Sequence, residues 1–582
     1  MCVSEGERCS CAPTHNDHNR DWSSIVKSTM QSSALTLTAV LHAISDSFGD
    51  GQALTCRNEE GDVERLGYDE LVLRTARLAN VLSALNVMRG DRIGTLMWNS
   101  GQHLEAYLAI PCYGAVLHTL NVRLTAEQLA FVVTDAGDRV VLCDSSLAST
   151  LAAAISAMPT VESVVVVGDL PAVERSTFEA AGKTVVDYAD ALASAADSYQ
   201  WPLLDEHSAA SLCYTSGTTG DPKGVVYSHR SVYLHALAAC SGNVAGICAR
   251  DTVMPLVPMF HVNAWGLPYA ALMAGADLVL PHRFVRPATI AALVEGWKPT
   301  VAGAVPTVFN DLLGWLRENP GHDLTSLRRV FCGGAAVPIA LIDAYRSEFG
   351  VTITQAWGMT ETSPIVCVAD PPKGCGPEQA RGYAQAAGRV VFGSRGRIVG
   401  DDGQVLPRDG ISVGEFQVSG PWITGQYLGG RNAESFERSE DGTVWLRTGD
   451  IGRINHLGYV QLTDRAKDVI KSGGEWISSV ELETALAGHP AVIEAAVIGV
   501  PDSRWDERPL AVVVRSHGSD VSEAELQEWL SHRVVKWWLP ERWSFVDALQ
   551  RTGTGKTDKR ALRARYAAND LLVTTLSPGS AF

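Results

Sequence analysis

No stretch of this 582-residue chain stays apolar over the roughly 18 residues that a membrane-spanning helix needs, so integral membrane association is not expected. No Cys-x-x-Cys pair occurs either. The 12 cysteines (Cys2, Cys9, Cys11, Cys56, Cys112, Cys143, Cys213, Cys240, Cys248, Cys332, Cys367 and Cys375) are scattered, which fits reduced thiols better than a disulfide framework. An excess of positive charge is also missing. Lys plus Arg number 48 against 65 Asp plus Glu, a net −17, which disfavours a general nucleic-acid or anionic-surface binder but allows one locally basic pocket. The opening MCVSEGERCSCAPTHNDHNRD lacks the apolar core of a secretory signal, and the final Ser580-Ala581-Phe582 is not the peroxisomal tripeptide. A cytoplasmic protein is expected. Charged residues make up only 19% and hydrophobic ones 46%, a globular balance that excludes wholesale disorder.

Residues 1–28 read as a flexible extension; Cys9, Cys11, His15 and His18 match no zinc spacing. From about residue 30 the texture is α/β. Arg92–Trp98 reads as a buried strand, the following GQHLEAYLAIPCYGA has helical spacing, and Ala115–Leu120 and Val140–Cys143 are further apolar runs. Thr125-Ala-Glu-Gln128 is a capping box that opens a helix between them. The alternation continues through Leu278–Leu280, Thr300–Val305 and Val330–Cys332, and it predicts parallel sheets covered by helices. After about residue 385, short runs such as GRIVG, GEFQVSG and GYVQLTD, separated by Gly, Asp and Pro, read as hairpins of a β-rich unit. Capping boxes at Ser478–Glu481 and Ser522–Glu525, with strand-like Ala495–Val500 and Leu510–Val514, mark a compact α+β segment beyond a boundary at about residue 464.

The strongest local signal is Tyr214-Thr215-Ser216-Gly217-Thr218-Thr219-Gly220-Asp221-Pro222-Lys223-Gly224. It follows the apolar run Ala209–Cys213 and so leaves a strand. Small hydroxyl residues offer donors to phosphate oxygens, glycines let backbone N–H groups come close, and Lys223 adds a positive charge. The string lacks the spacing of a Walker A loop. Near the C-terminus Gly553-Thr-Gly555-Lys556-Thr557 imitates the end of that motif, but Gln550 stands where its first glycine belongs.

The phosphate loop resembles the signature of the adenylate-forming superfamily, which includes acyl-CoA synthetases, luciferases and the adenylation domains of peptide synthetases. Further motifs of the family occur in order from about residue 30 to 565. The resemblance implies a large N-terminal domain, residues 29–463, of helix-covered sheets plus a β-rich subdomain (about 385–463). It also implies a hinge at 464–467, a small mobile α+β lid at 468–567 and a tail at 568–582. Gln355-Ala356-Trp357-Gly358-Met359-Thr360-Glu361 is similar to the second nucleotide motif. On that basis Trp357 offers a ring to adenine, Thr360 a phosphate contact, and Glu361, with Thr218, a magnesium contact. Gly333-Gly334-Ala335-Ala336 resembles the loop that runs beside adenine and acyl group. Asp450, in Thr448-Gly449-Asp450, and Arg465 resemble the ribose clamp; outside the family, such a Thr-Gly-Asp reads as a turn. Lys556 resembles the lysine that serves the first half-reaction, Lys467 the hinge residue, and Lys471-Ser472-Gly473-Gly474-Glu475-Trp476 the loop that meets CoA.

Pro258-Met-Phe260-His261-Val-Asn-Ala-Trp265 is similar to fatty-acyl-CoA synthetases, in which Phe260 and His261 correspond to an aromatic motif beside the reacting carboxylate, His261 among the catalytic positions, and Trp265 to a gate on the acyl tunnel. With Val305, Thr307, Gly333 and Gly334 they form the implied acyl pocket. No aspartate occurs in Phe331–Val337, which suits an apolar acid better than an amino acid with an ammonium group. The expected activity is that of an ATP-dependent acid–CoA ligase with ATP, Mg²⁺ and CoA, passing through acyl-AMP. The alternative is a ligase that loads a separate carrier protein. A bulky, aryl or terpenoid acid stays open beside fatty acids, as does a homodimer, since some fatty-acid relatives form one.

Overall fold

The apolar runs separated by helical spacings become two largely parallel sheets. The computed structural model describes residues 28–215, 222–465, 468–472, 475–516, 518–551 and 557–576, with backbone alone at Glu475 and Trp476. The chain divides into units Met1–Ala34 and Leu35–Phe582. Residues 28–34 carry no helix or strand, and residues 1–27 of the expected extension lie outside the described residues.

The first sheet has seven strands in the order Thr184–Asp187, Ser163–Val167, Asp138–Asp144, Arg92–Leu96, Val116–Thr119, Ala209–Tyr214 and Gly224–Ser228, all parallel except the last pair. The second has fourteen strands. Its parallel half runs Gln52–Cys56, Asp277–Leu280, Thr252–Pro255, Val301–Ala304, Arg329–Gly333 and Ile353–Gly358. The β-rich residues after 385 continue this same sheet in antiparallel pairing, through Gly388–Val390, Tyr459–Arg465, Val444–Ile454, Gly414–Ser419 and Arg395–Val399. After Arg465 the chain leaves it, and Ile470–Ser472 opens a separate six-stranded sheet built around the hairpin Val492–Asp502 and Asp506–Arg515.

One apolar core joins the first two sheets. It holds Ile93, Leu117 and Leu142 from one, Val253, Leu278 and Phe331 from the other, and buried faces of helices between them. Among these, Gly101–Tyr113 buries every residue except Gln102, as a helix between two layers must. Its buried Glu105 and His103 are therefore partnered. Glu105 accepts from Arg74 Nε at 2.8 Å and from the Tyr188 hydroxyl, and the two ring nitrogens of His103 meet Trp98 O at 2.9 Å and Thr95 Oγ1 at 3.0 Å. The capping boxes expected at Thr125 and Ser522 form completely; at Ser478 only the side chain's half forms, accepting from Glu481 N at 3.1 Å.

Three core histidines, His103, His229 and His235, are held down to about 4 by burial. Unfolded, each takes up its proton near the ordinary 6.5. Between those two values the unfolded chain binds more protons, so stability rises with pH across the window and is lost as pH falls from 6.5 towards 4, by up to about 1.4 kcal/mol per unit and ring. Urea midpoints measured from pH 7 to 4.5 should fall steeply. In His235→Gln, whose amide oxygen can still accept from Ile365 N, the fall should be shallower; identical slopes would show that the ring is not buried neutral.

Candidate active site

Parallel strands place their carboxyl ends along one edge, where ligands settle in α/β sheets. The expected site residues follow those ends: Thr215 after Tyr214, Phe260 and His261 five and six residues after Pro255, Val305 after Ala304, Gly334–Ala336 after Gly333, and Met359–Glu361 after Gly358. Residues 216–221, with Ser216, Gly217, Thr218, Thr219 and Gly220, lie outside the described residues, as do Lys467, Gly473, Gly474 and Lys556.

Both stems of the phosphate loop are in place. Thr215 N donates to Lys223 O at 2.9 Å, and Lys223 N to Thr215 Oγ1 at 3.3 Å, closing the base of the hairpin. Lys223 Nζ stands 5.1 Å from the ring centroid of Tyr427, whose hydroxyl donates to Glu361 Oε1 at 2.7 Å. Burial and the Glu361 carboxylate keep the Tyr427 phenol well above its ordinary value, so it remains a donor. Glu361 is 7% exposed, and its other carboxylate oxygen has no hydrogen-bond partner among the described residues. Thr360 is fixed beside it through Tyr227 Oη, which donates to Thr360 O at 2.6 Å. Neither tyrosine was expected from the sequence. Tyr427 lies 66 residues from its carboxylate, and no spacing signal connects them.

The second group forms where the antiparallel half of the sheet returns. Asp450 is buried, accepting from the Trp357 indole N–H at 2.8 Å and pairing with Arg465 Nε at 2.7 Å. Thr448-Gly449-Asp450, where the resemblance puts the ribose-clamp carboxylate, lies within the eleven-residue strand Val444–Ile454, with Gly449 at a φ of +69° and Asp450 directly opposite Arg465 in register. Thr448 Oγ1 accepts from Asp450 N at 3.1 Å and donates to Phe416 O at 2.6 Å, so the carboxylate's own backbone is braced. Gln355 holds the neighbouring loop: its amide oxygen accepts from Val337 N at 2.7 Å and its amide nitrogen donates to Ala386 O at 2.8 Å, leaving Gly334, Ala335 and Ala336 exposed. Ala356 and Met359 are half-buried on either side of Trp357-Gly358.

Phe260 and His261 lead into, and Trp265 lies in, the longest run of positive-φ residues among the described residues. Val262, Asn263, Ala264, Trp265 and Gly266 have φ of +49°, +50°, +48°, +59° and +70°, a complete left-handed turn. Such a conformation costs an L-residue roughly 1–2 kcal/mol each and persists only where surroundings impose it. Here Asn263 Nδ2 donates to Ser211 Oγ at 3.0 Å, Thr119 Oγ1 donates to Phe260 O at 3.3 Å, and Asn99 Oδ1 accepts from Met259 N at 2.7 Å. Gly266 is required, because a Cβ there would stand 2.7 Å from His235 Nδ1. The turn carries Trp265, 8% exposed, against Gly303 and Gly333, while Val305 backs Gly334. Thr307 lies exposed on the first turn of the helix Pro306–Glu318, outside this buried wall.

In the C-terminal segment Lys471 is exposed and Ser472 is buried, its hydroxyl accepting from Arg508 Nη1 at 3.1 Å. Arg508, buried and paired with Glu541 at 2.8 Å, sits over Trp537 at 4.8 Å, and Trp537 meets Trp505 edge-on at 4.7 Å, an aromatic cluster that the sequence did not signal. Arg551, immediately before the undescribed 552–556, lies within electrostatic reach of Asp311 on the helix Pro306–Glu318.

The family described as AMP-binding enzyme matches residues 42–428, and its C-terminal domain matches 481–556. The chain is 42% identical over 511 residues to a 3-methylmercaptopropionyl-CoA ligase of Ruegeria lacuscaerulensis, covering 87% of this chain and 93% of that protein. It is 42% identical over 543 residues to a long-chain-fatty-acid–CoA ligase of Thermus thermophilus, covering 93% and 97%. Among solved structures, the anthranilate CoA ligase AuaEII with anthranoyl-AMP shares the fold at a TM-score of 0.81 and 24% identity, covering 92% of this chain and 98% of that one. O-succinylbenzoate coenzyme A synthetase of Bacillus subtilis, with ATP and magnesium ion, superposes at 0.74 and 27% identity over 90% and 98%.

Gly333 packs tightly between Ala356 and Trp265, since a Cβ on it would stand 2.5 Å from Ala356 O and 3.6 Å from Trp265 Cη2. Gly333→Ala is expected to destabilise the protein by about 1–3 kcal/mol through overpacking and to shift the tryptophan emission. An unchanged melting temperature and spectrum would contradict the packing described.

Proposed function

We propose, for a chain that belongs to the family of AMP-binding enzymes, an ATP-dependent acid–CoA ligase acting on an apolar carboxylic acid. In the first step a carboxylate oxygen attacks the α-phosphorus of ATP and pyrophosphate leaves. In the second, the CoA thiol attacks the carbonyl of the acyl-AMP and AMP leaves. Splitting the reaction turns an unreactive carboxylate into a good electrophile before the thiol arrives. The names of the relatives favour CoA over a carrier protein as the acceptor.

The observation that carries this reading is the pairing of Asp450 with both Trp357 and Arg465, beside the Lys223–Tyr427–Glu361 chain. Asp450 and Arg465 take the ribose hydroxyls, Trp357 and the 334–336 loop flank the adenine, and Thr215–Lys223 with Thr360 take the phosphates. Glu361 suits Mg²⁺: it offers a hard carboxylate oxygen without a partner among the described residues, and such an ion commonly takes one or two carboxylates together with substrate phosphates. Bound there with Thr218, the ion would neutralise charge on the departing pyrophosphate. Lys556 bridges acid and α-phosphate, where charge builds in the transition state more than in the separated reactants. Rotation of residues 468–567 about Lys467 then exchanges the loop bearing Lys556 for Lys471–Trp476, which receives CoA.

Exchange of labelled pyrophosphate into ATP, dependent on an added apolar acid, tests the first step, and the CoA thioester as product tests the second. Lys556→Ala should lower acyl-AMP formation by about 10²–10³-fold while CoA transfer to supplied acyl-AMP stays near wild type; equal loss of both would refute the role. The indole of Trp265 against Gly303 and Gly333 limits the depth of the acyl wall. Trp265→Ala should therefore move the preferred acid, by kcat/KM across a chain-length panel, towards longer or bulkier substrates. An unshifted preference would place Trp265 outside the acyl pocket.

A further inference from the structure

A basic cavity lies away from the site just described. The sheet curls at its antiparallel end: Val390 comes back to within 3.2 Å of a Cβ built on Gly396 of the end strand Arg395–Val399. In the mouth of that curl is a cavity of about 690 Å³, a size that suits a small-molecule ligand. Arg389, Arg395, Arg397 and Arg408 line it against one carboxylate, Asp441. None of Trp357, Glu361, Asp450 or Arg465 reaches it.

On a chain of net charge −17, four guanidinium groups in one cavity need an explanation. Arg397 is committed to structure, donating to Gln417 Oε1 and pairing with Glu437 at 2.8 Å. The other three are not. Among the described residues, Arg389, Arg395 and Arg408 have no carboxylate within ion-pair distance; Arg408 donates to Gly396 O at 2.8 Å, and Arg395 feels Asp441 only at longer range. Trp445 forms the wall, with Arg395 and Arg397 over its ring at 5.1 and 4.3 Å, so these guanidinium groups are oriented by stacking rather than loose in solvent. At the rim Phe392 is 56% exposed, beside exposed Val405 and Leu457. Guanidinium forks suit phosphate, and an exposed ring suits a nucleobase.

We propose that this cavity is a second nucleotide site, binding a phosphorylated nucleoside with its phosphates on Arg389, Arg395 and Arg408 and its base against Phe392. The concave, charge-lined form favours a small phosphorylated ligand over a bilayer. Calorimetric titration of the intact protein with ATP, adenosine 3′,5′-bisphosphate and inorganic pyrophosphate counts the sites and separates base from phosphate recognition. Two ATP sites are expected. The double variant Arg395→Gln, Arg408→Gln should lose one of them, with affinity down by at least about tenfold, as for one lost charged hydrogen bond, while Asp450→Ala weakens the other. A single ATP site, removed by Asp450→Ala and untouched by the arginine replacements, would overturn the proposal. So would binding of phosphatidylglycerol vesicles, but no nucleotide, through the same arginines. Phe392→Ala, an exposed position, keeps the test open if the arginine variants fold poorly: it should weaken the second site for ATP and leave its affinity for pyrophosphate unchanged, and equal affinity for ATP in variant and wild type would overturn the proposal.

Discussion

Everything in the candidate site depends on the direction of the strands. Parallel pairing sends the carboxyl ends of Ala209–Tyr214, Thr252–Pro255, Val301–Ala304, Arg329–Gly333 and Ile353–Gly358 to carry the loops that hold the chemistry. One further constraint completes it. After Gly358 the next strand, Ile365–Val368, pairs antiparallel, and from there the sheet grows in the opposite sense. That reversal brings Asp450 and Arg465, about a hundred residues later in the chain, against Trp357.

Much of this arrangement was legible in the sequence, and the reason is local. Apolar runs of four to seven residues between helical spacings can only be buried strands in such a chain, and Thr125–Gln128 announces its helix through two side-chain bonds that both form. Long-range contacts decide where local preference is ambiguous. Thr448-Gly449-Asp450 has the composition of a turn, and Gly449 keeps a positive φ at a bulge, yet Arg447 and Ile451 pair with Gly414–Ser419 on one side and Asp450 with Arg465 on the other, which carries the segment through a strand. The turn at Val262–Trp265 was illegible for the opposite reason. Val, Asn, Ala and Trp give no sign of a left-handed backbone; Asn263 bonded to Ser211, and His235 crowding Gly266, impose it from other elements.

The electrostatics follow the same division of labour. Most of the excess negative charge is solvated, but the two carboxylates in the site are buried and each is held by an aromatic donor: Asp450 by the Trp357 indole, Glu361 by the Tyr427 hydroxyl. At Glu361 the phenol satisfies one oxygen without adding a full positive charge and leaves the other for a ligand, whereas at Asp450 the second oxygen is taken by Arg465. Asp251 shows the other design: burial would raise it, but Arg328 at 2.7 Å and the Thr300 hydroxyl more than reverse that, and the carboxylate is used up in structure.

The boundary between the sheets is where such a buried charge constrains motion. Asp464, raised by burial, accepts from Ser479 N at 2.6 Å and Oγ at 2.5 Å across residues 466–467. Lys559 Nζ donates to the same Ser479 hydroxyl at 2.6 Å and pairs with Glu483 at 2.8 Å; burial opposes its charge, but Glu483 and Asp464 outweigh that and hold the ammonium above its ordinary value. Stripping Asp464 of these partners would leave a buried carboxylate unpaired, a loss of about 3–5 kcal/mol. A rotation of the C-terminal segment about Lys467 must therefore keep Ser479 near Asp464 or supply another donor as it leaves. Positions close to a rotation axis move least, and Ser478 and Ser479 are already tied to Thr463 and Asp464. In the proposed rotation this network would serve as the pivot, with Lys559 holding the start of the helix Lys559–Ala567 to it.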